Sequence, residues 1–184
     1  MAIDTPNWIK SSVIYEAFPR NHSKSGTFAG LCHDLERISR LHADALWLMP
    51  IHPIGAANRK GSLGSPYAIR DYRAINPDLG DEQSFRELIN KAHALGMKII
   101  IDVVFNHTSR DSVLLAQHPE WFLQDDHGNP ATKVPDWWDV YDLDYSQQGL
   151  WDYQIDTLRK WVQMGVDGFR CDVASLVPLD FWLT

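Results

Sequence analysis

Two short segments of the sequence carry side chains that could perform acid–base or nucleophilic chemistry. The first begins at Asp102 and ends at Asn106 and His107, and the second ends at Arg170 and Asp172. In each segment, β-branched or aromatic residues give way to carboxylate, amide, imidazole or guanidinium groups. Active sites are built in this way at the carboxyl ends of parallel strands. The two segments therefore predict one edge of an active site.

The spacing within each segment predicts which charges meet. Side chains alternate between the two faces of a strand, so Arg170 and Asp172 point the same way, as do Asp102 and Val104. We therefore expect an aspartate beside an arginine on one face. The cation would keep the carboxylate ionised near neutral pH.

Alternating strand-like and helix-like segments would position these groups. Strands are predicted at 13–18, 45–49, 98–105 and 168–173. Helices are predicted where apolar residues recur at helical spacing: Leu31, Leu35, Ile38 and Leu41; Phe85, Leu88, Ile89, Ala92 and Leu95, before Gly96; and Ile155, Leu158 and Val162, before Gly165. This order predicts an α/β fold with a parallel sheet and right-handed crossovers.

Two connections are too long to be ordinary turns. One runs from Pro50 to Asp81, and the other runs from Thr108 to about Gln147 and is rich in aromatic residues. Loops of this length inside a compact domain are usually functional. Both follow strands, so both are expected over the carboxyl edge of the sheet.

The two segments resemble conserved regions of the α-amylase family of glycoside hydrolases. The first matches the pattern Asp-x-x-x-Asn-His and the second matches Gly-Phe-Arg-x-Asp, while residues 65–72 are similar to the stretch after the family's second strand. The resemblance implies a TIM-type (β/α)8 barrel of which only the first four βα units are present. Residues 1–107 would begin the barrel, 108–147 would form a short inserted domain after strand 3, and 148–184 would continue the barrel.

The resemblance also implies catalytic roles. Asp172 would be the nucleophile that forms a covalent glycosyl intermediate, as retaining glycoside hydrolysis requires. Arg170 would hold that carboxylate and keep its pKa low, and Asp102 would support Arg170.

Substrate-binding residues are implied in the same way. Asp102, Tyr67 and His107 would line the subsite of the sugar that is cleaved. Trp137 and Trp138, adjacent in a polar loop, are the aromatic pair expected to face sugar, although core packing is the usual role of tryptophan.

A metal site is a weaker implication. In the family, the residue at Asn106 helps to bind a structural calcium, and Asp142 or Asp144 would supply a further ligand. A lone asparagine at a strand end can equally bond its own backbone as a turn residue. We therefore expect no required cofactor and regard calcium at Asn106 and Asp144 as an alternative.

The function implied is retaining hydrolysis of α-glucans such as starch or malto-oligosaccharides. A transglycosylase of the same family and a non-catalytic glucan-binding fragment are the alternatives. A different (β/α) barrel enzyme, such as a phosphate-binding one, is disfavoured because the sequence has no glycine-rich phosphate loop.

The position of Asp172 in the chain adds an expectation about activity. In the family, the general acid glutamate follows the fifth strand and a second aspartate follows the seventh, whereas this sequence ends twelve residues after Asp172. We therefore expect the chain alone to be nearly inactive. A half barrel also leaves open strand edges, which favour self-association.

Composition excludes some partners. The net charge of −7 argues against nucleic acid, whose binding depends on basic contacts to phosphate. No apolar run approaches the 18 or so residues of a membrane span. The first residues lack a secretory pattern. Cys32, expected in a helix, and Cys171, expected on a strand, are poorly placed for a disulfide, so we expect a cytoplasmic protein.

Overall fold

Four parallel strands form the main sheet of the computed structural model, which describes residues 5–184. In chain order, the six strands of the described residues are β1 (Ile14–Ala17), β2 (Ala45–Leu48), β3 (Lys98–Val103), β4 (His107–Ser109), β5 (Val140–Asp142) and β6 (Gly168–Cys171). The parallel sheet has the order β1-β2-β3-β6, and β4 pairs with β5 as a separate antiparallel ribbon. The parallel arrangement predicted from the alternating elements is confirmed. The predicted barrel segment 1–107 starts at residue 1, but residues 1–4 lie outside the described residues.

Three helices connect the parallel strands. In chain order, all α-helices of the described residues are α1 (Pro19–His22), α2 (Phe28–Arg40), α3 (Glu82–Ala94), α4 (Val113–Gln117), α5 (Gln148–Met164) and α6 (Leu179–Trp182). Short 3-10 turns lie at Asn7–Ser11, Pro119–Trp121 and Ala174–Leu176. The crossovers are α2, α3 and α5. Helix α3 begins with a capping box between Asp81 and Ser84, and α5 ends at Gly165, whose φ of +108° suits glycine.

All four strands were predicted too long. Strand β3 ends at Val103 and not at residue 105, because its partner β6 ends opposite it at Cys171. Beyond Val103, the carbonyl of Val104 accepts a hydrogen bond from Tyr72 and that of Phe105 accepts one from Tyr145. These side-chain hydroxyls take the place of the hydrogen bonds between strands, so the chain leaves the sheet after Val103.

Strand β6 ends at Cys171 where residue 173 was predicted, and β2 ends at Leu48 where residue 49 was predicted. Strand β1 spans Ile14–Ala17 where residues 13–18 were predicted. Leu41, predicted in the first helix, caps its end and is largely exposed, and Leu95 likewise caps α3. Helix ends follow backbone hydrogen bonding, which an apolar repeat does not report.

The buried face of α5 was predicted wrongly. Val162, which belonged to the predicted apolar stripe, is 55% exposed, whereas Gln154 and Thr157 are buried. The interior accepts Thr157 because Arg73 donates from Nε to Thr157 Oγ1 at 3.0 Å, whereas the buried amide of Gln154 has no hydrogen-bond partner within the described residues. The stripe of Ile155, Leu158 and Val162 instead lines an open groove beside α6.

An ionic cluster ties α3, β3 and the turn before β6 together at the amino end of the sheet. Asp167 accepts from Lys98 Nζ at 2.8 Å, from His93 Nε2 at 2.7 Å and from the Ile99 amide at 2.9 Å. Burial alone would raise the pKa of Asp167, but these hydrogen bonds outweigh it and lower the pKa. The ionised carboxylate therefore stabilises this end of the fold.

Replacing Asp167 with asparagine should reduce the free energy of unfolding by about 1–3 kcal/mol, because donors and a cation lose their acceptor. A lowered carboxyl pKa contributes stability that disappears as pH falls through the folded-state value. The deficit should therefore shrink in acid. Urea denaturation at several pH values measures it, with Asp156→Asn, in an exposed pair with Arg159, as the control. Equal stability of the two variants would contradict the cluster's role.

Candidate active site

Adjacent strands bring Arg170 between two aspartates. Asp102 on β3 lies directly opposite Arg170 on β6 in the parallel register. Arg170 Nη1 donates to Asp102 Oδ1 at 3.0 Å and Oδ2 at 3.2 Å, and to Asp172 Oδ1 at 2.8 Å. The predicted proximity of an aspartate and an arginine is confirmed, and one guanidinium nitrogen holds both carboxylates.

The two carboxylates differ in burial. Asp102 is fully buried, whereas the Asp172 side chain is 13% exposed. Asp102 also accepts from the Tyr67 hydroxyl at 3.3 Å. Burial raises the pKa of Asp102 to about 6, although Arg170 acts in the opposite direction. Desolvation of this fully enclosed carboxylate is therefore the larger effect, although a pKa of about 6 still leaves Asp102 mostly ionised at neutral pH.

This raised pKa predicts a pH-dependent stability difference. Below about pH 3, Asp102 is protonated in both the folded and unfolded chain. As pH rises, the unfolded chain ionises first, so the stability linked to the folded-state proton is lost on passing through pH 6. A rise from 3.8 to about 6 corresponds to about 3 kcal/mol.

Wild type should therefore lose about 3 kcal/mol relative to Asp102→Asn between about pH 3 and pH 7. Urea denaturation of both proteins across this range checks the difference, and groups common to both cancel. A stability difference that does not change with pH would contradict the assignment.

A cleft of about 250 Å³ opens beside Asp172. Its walls include Tyr67, His107 and Trp137, and the His107 and Trp137 rings lie 5.2 Å apart between centroids. The loop after β2 and the segment after β3 thus meet at the carboxyl edge, where both were expected. A carboxylate, an imidazole, a phenol and an indole share one cavity.

Two polar side chains of this cleft, His107 and Tyr67, are uncharged. Asn106 Nδ2 lies 3.1 Å from His107 Nδ1, so that nitrogen accepts and the ring proton is assigned to Nε2. Burial lowers the pKa of His107 and raises that of Tyr67 to about 12. Both are therefore neutral hydrogen-bonding groups near neutral pH. This suits a hydroxyl-rich neutral ligand.

The backbone turns sharply after Asp172. The Asp172 amide donates to the Val103 carbonyl at 2.9 Å, and Val173 then adopts a left-handed conformation with φ of +39°. A β-branched residue is strained there by roughly 1–3 kcal/mol. Val173 also lines the cleft. The strained turn ends β6 and presents the Asp172 carboxylate to the cavity.

The other residues predicted to bind substrate are divided by the structure. Trp137 lines the cleft, whereas Trp138 is 51% exposed and its ring lies 4.5 Å from Lys60 Nζ. Asp102 lies beneath the cleft, where it contacts Arg170 and Tyr67.

Asn106 and Asp144, the pair suggested for calcium, are hydrogen-bonded to different protein groups and not to each other. The Asp144 carboxylate accepts from the amide and hydroxyl of Ser146, whereas Asn106 Nδ2 lies 3.4 Å from the buried Asp142. Asp142 also accepts from the Lys133 amide at 3.0 Å. Among residues 5–184, no three His, Cys, Asp or Glu side chains form a group that could hold a metal. Calcium prefers six to eight oxygens, so this set fits poorly and we derive no chemistry through it.

Sequence reasoning missed three neighbours of the site. Lys60 and Asp139 line the cleft, and Trp47 on β2 packs its ring 5.2 Å from the Arg170 guanidinium. Trp47 could have been found, because strand register places it beside Ile100, two residues before Asp102 and so on the same face. Lys60 had no such signal, since it lies in an irregular loop.

Comparison with known proteins bears on this arrangement. Residues 14–141 match the family model described as "Alpha amylase, catalytic domain". The chain belongs to the α-amylase family. An α-amylase from Lactobacillus plantarum is 60% identical with a TM-score of 0.92, over 94% of this chain and 40% of that one. The maltogenic α-amylase AmyB from Thermotoga neapolitana is 51% identical with a TM-score of 0.90, over 96% and 42%.

Curated relatives of this α-amylase-family chain include transferases. The α-1,4-glucan:maltose-1-phosphate maltosyltransferase of Pseudomonas aeruginosa is 36% identical over 91% of this chain and 29% of its own length. The chain thus spans under a third of that relative and about two fifths of the amylase structures.

No helix within residues 5–184 is long and apolar enough to cross a membrane.

Proposed function

We propose that this chain is the nucleophile-bearing part of a retaining enzyme that acts on α-glucans. The observation that carries the proposal is the position of Asp172, held at 2.8 Å by Arg170 and facing a cleft walled by Tyr67, His107 and Trp137. An ionised carboxylate beside aromatic and neutral polar groups is the arrangement that glycosyl transfer to aspartate requires.

The first chemical step forms a covalent intermediate. An oxygen of Asp172 bonds to the anomeric carbon of the sugar while the bond from that carbon to the leaving oxygen breaks, and the leaving oxygen takes up a proton. Arg170 orients the carboxylate. Asp102, anchored to Arg170 and to Tyr67, fixes the guanidinium in turn. Trp137 and Tyr67 offer faces against which a sugar ring can stack.

The second step decides between two reactions. Attack by water on the anomeric carbon releases a hydrolysed sugar, and attack by a sugar hydroxyl yields a transfer product. Hydrolysis is the primary proposal because the matching α-amylase structures share the higher identity. Transfer is the second candidate because the relatives include maltosyltransferases. A non-catalytic glucan-binding role is the remaining alternative.

The residue arrangement also carries a proposal about activity and assembly. The described chain has four parallel strands, whereas a TIM barrel closes with eight. We place residues 108–147 as a short inserted domain between barrel segments 1–107 and 148–184. The family resemblance implies a general acid after a fifth parallel strand, and the described chain has four. Without that acid, the chain alone would be nearly inactive on glucans, because general acid help is typically worth about 10²–10⁴-fold. Edge strands β1 and β6 would favour self-association. Calcium stays a prediction.

A substrate that needs no proton donor tests this proposal. α-Maltosyl fluoride carries a leaving group that departs as fluoride without general acid assistance. Incubation with the folded chain should yield a covalent adduct heavier by one maltosyl group, detected by intact mass and mapped to Asp172 by peptide analysis. A folded chain that binds maltose and gives no adduct would favour the glucan-binding alternative. Release of maltose or of longer products then separates hydrolysis from transfer.

A further inference from the structure

Lys60 joins two segments that are far apart in sequence. It lies in the loop after β2, here called the β2 loop (residues 50–81), and its Nζ lies 3.0 Å from Asp139 Oδ1 and 3.1 Å from the Asp136 carbonyl. The same Nζ lies 4.5 Å from the centre of the Trp138 ring. All three contacts belong to the short segment 136–139 of the insert (residues 108–147).

These contacts engage the ammonium group of Lys60 on several sides, although its side chain stays 35% exposed. Lysine offers three N–H donors and no acceptor. Two oxygens take two of the donors, and the electron-rich indole face attracts the charge on the remaining side. Asp139 is only 3% exposed, so its carboxylate depends on this cation to offset its burial. Lys60 is therefore held as a clamp and is not a free cationic side chain in the cleft.

Within residues 5–184, no other polar link replaces this clamp. The start of the insert is joined to the β2 loop by backbone hydrogen bonds, from Ser109 to Ile69 at 2.8 Å and from Val113 to Arg70 at 3.0 Å. Segment 136–139 is different, because within residues 5–184 every hydrogen bond or ion pair between it and the β2 loop is made by Lys60. Lys60 thus supplies the polar link between segment 136–139 and the β2 loop.

The clamp acts on a wall of the cleft. Trp137 lies between Asp136 and Trp138, both of which Lys60 contacts, and its ring packs against His107. We propose that Lys60 is a positioning residue that locks segment 136–139 to the β2 loop and so sets the place of Trp137 opposite Tyr67. Its consequence for substrate rests on the proposed function: displacement of Trp137 would remove an aromatic contact to the glucan and weaken its binding.

Three variants test the clamp. Lys60→Met keeps the aliphatic length but removes the charge and donors, Lys60→Arg keeps both, and Asp139→Asn removes the charge of the partner. Lys24→Met is the matched control, since Lys24 is exposed and makes no ion pair within the described chain. Hydrogen exchange of the amides at 134–140 reports the clamp, and calorimetric titration with maltoheptaose reports the cleft.

Each variant has its own expected result. Lys60→Met should accelerate exchange at 134–140 and weaken maltoheptaose binding about tenfold, as loss of a placed aromatic contact implies. Lys60→Arg should restore both properties, which general destabilisation would not predict. Adding Asp139→Asn to Lys60→Met should change exchange little further, since the two residues act as one unit. The Lys24→Met control should match wild type.

Other outcomes separate the clamp from the proposed function. Unchanged exchange at 134–140 in Lys60→Met overturns the clamp. Faster exchange with unaltered maltoheptaose affinity overturns its role in the cleft. A wild-type chain that binds no maltoheptaose contradicts the proposed function, and the exchange data then decide the clamp alone. If Lys60→Met fails to fold, Asp139→Asn compared with Lys60→Arg gives the same decision.

Discussion

Asp172→Asn should abolish covalent labelling by α-maltosyl fluoride while leaving the fold intact. The amide oxygen is a far weaker nucleophile than a carboxylate, so no bond to the anomeric carbon forms. Asparagine keeps the side-chain shape and can still accept from Arg170 Nη1. The measurement is the fraction of protein carrying one maltosyl group, by intact mass, together with the far-ultraviolet circular dichroism spectrum.

The control for this experiment is another aspartate. Asp152 is exposed on α5, and Asp152→Asn should label at the wild-type rate. Labelling that persists in Asp172→Asn, at the wild-type rate and at a different residue, would remove Asp172 from the role of nucleophile. Loss of labelling in both variants would point to the preparation and not to the site.

Arg170→Met should be the most destabilising single change in the site. It leaves Asp102 fully buried and Asp172 largely buried beside each other, with no cation between them. Removing one member of a buried ion pair typically costs about 3–5 kcal/mol, and because Arg170 is 38% exposed we expect about 2–3 kcal/mol. Urea denaturation near neutral pH measures the loss.

Two further variants decide whether charge is the cause. Arg159, paired with Asp156 on the solvent side of α5, provides the control, and Arg159→Met should cost less than about 0.5 kcal/mol. Adding Asp102→Asn to Arg170→Met should recover part of the stability, because one of the unpaired charges is gone. If Arg170→Met is no worse than Arg159→Met, the bridging arginine does not hold the carboxylates together in solution.

The strand framework and the centre of the site were predictable because they follow short-range rules. The β-branched runs predicted the strands, and side-chain alternation on neighbouring parallel strands brought Asp102, Arg170 and Asp172 together. Their mutual contacts needed no knowledge of the loops. Tyr67 and His107 came from motif resemblance, and the structure places both in the cleft wall.

What could not be predicted depends on long-range packing. The buried face of α5 was missed because Gln154 and Thr157 are inside, where hydrophobic periodicity expects apolar residues. The raised pKa of Asp102 reflects complete enclosure, which the sequence does not report. Lys60 meets segment 136–139 only because two long loops fold towards each other. Each case is decided by a three-dimensional neighbour and not by the residue type.

The left-handed backbone at Val173 has a consequence for engineering this protein. A selection for heat resistance would be expected to enrich asparagine or glycine at this position, since both tolerate positive φ more readily than valine. A selection for glycosyl transfer would act on the same position through the presentation of the neighbouring carboxylate. Directed evolution under the two regimes would therefore diverge first at the residue that follows Asp172.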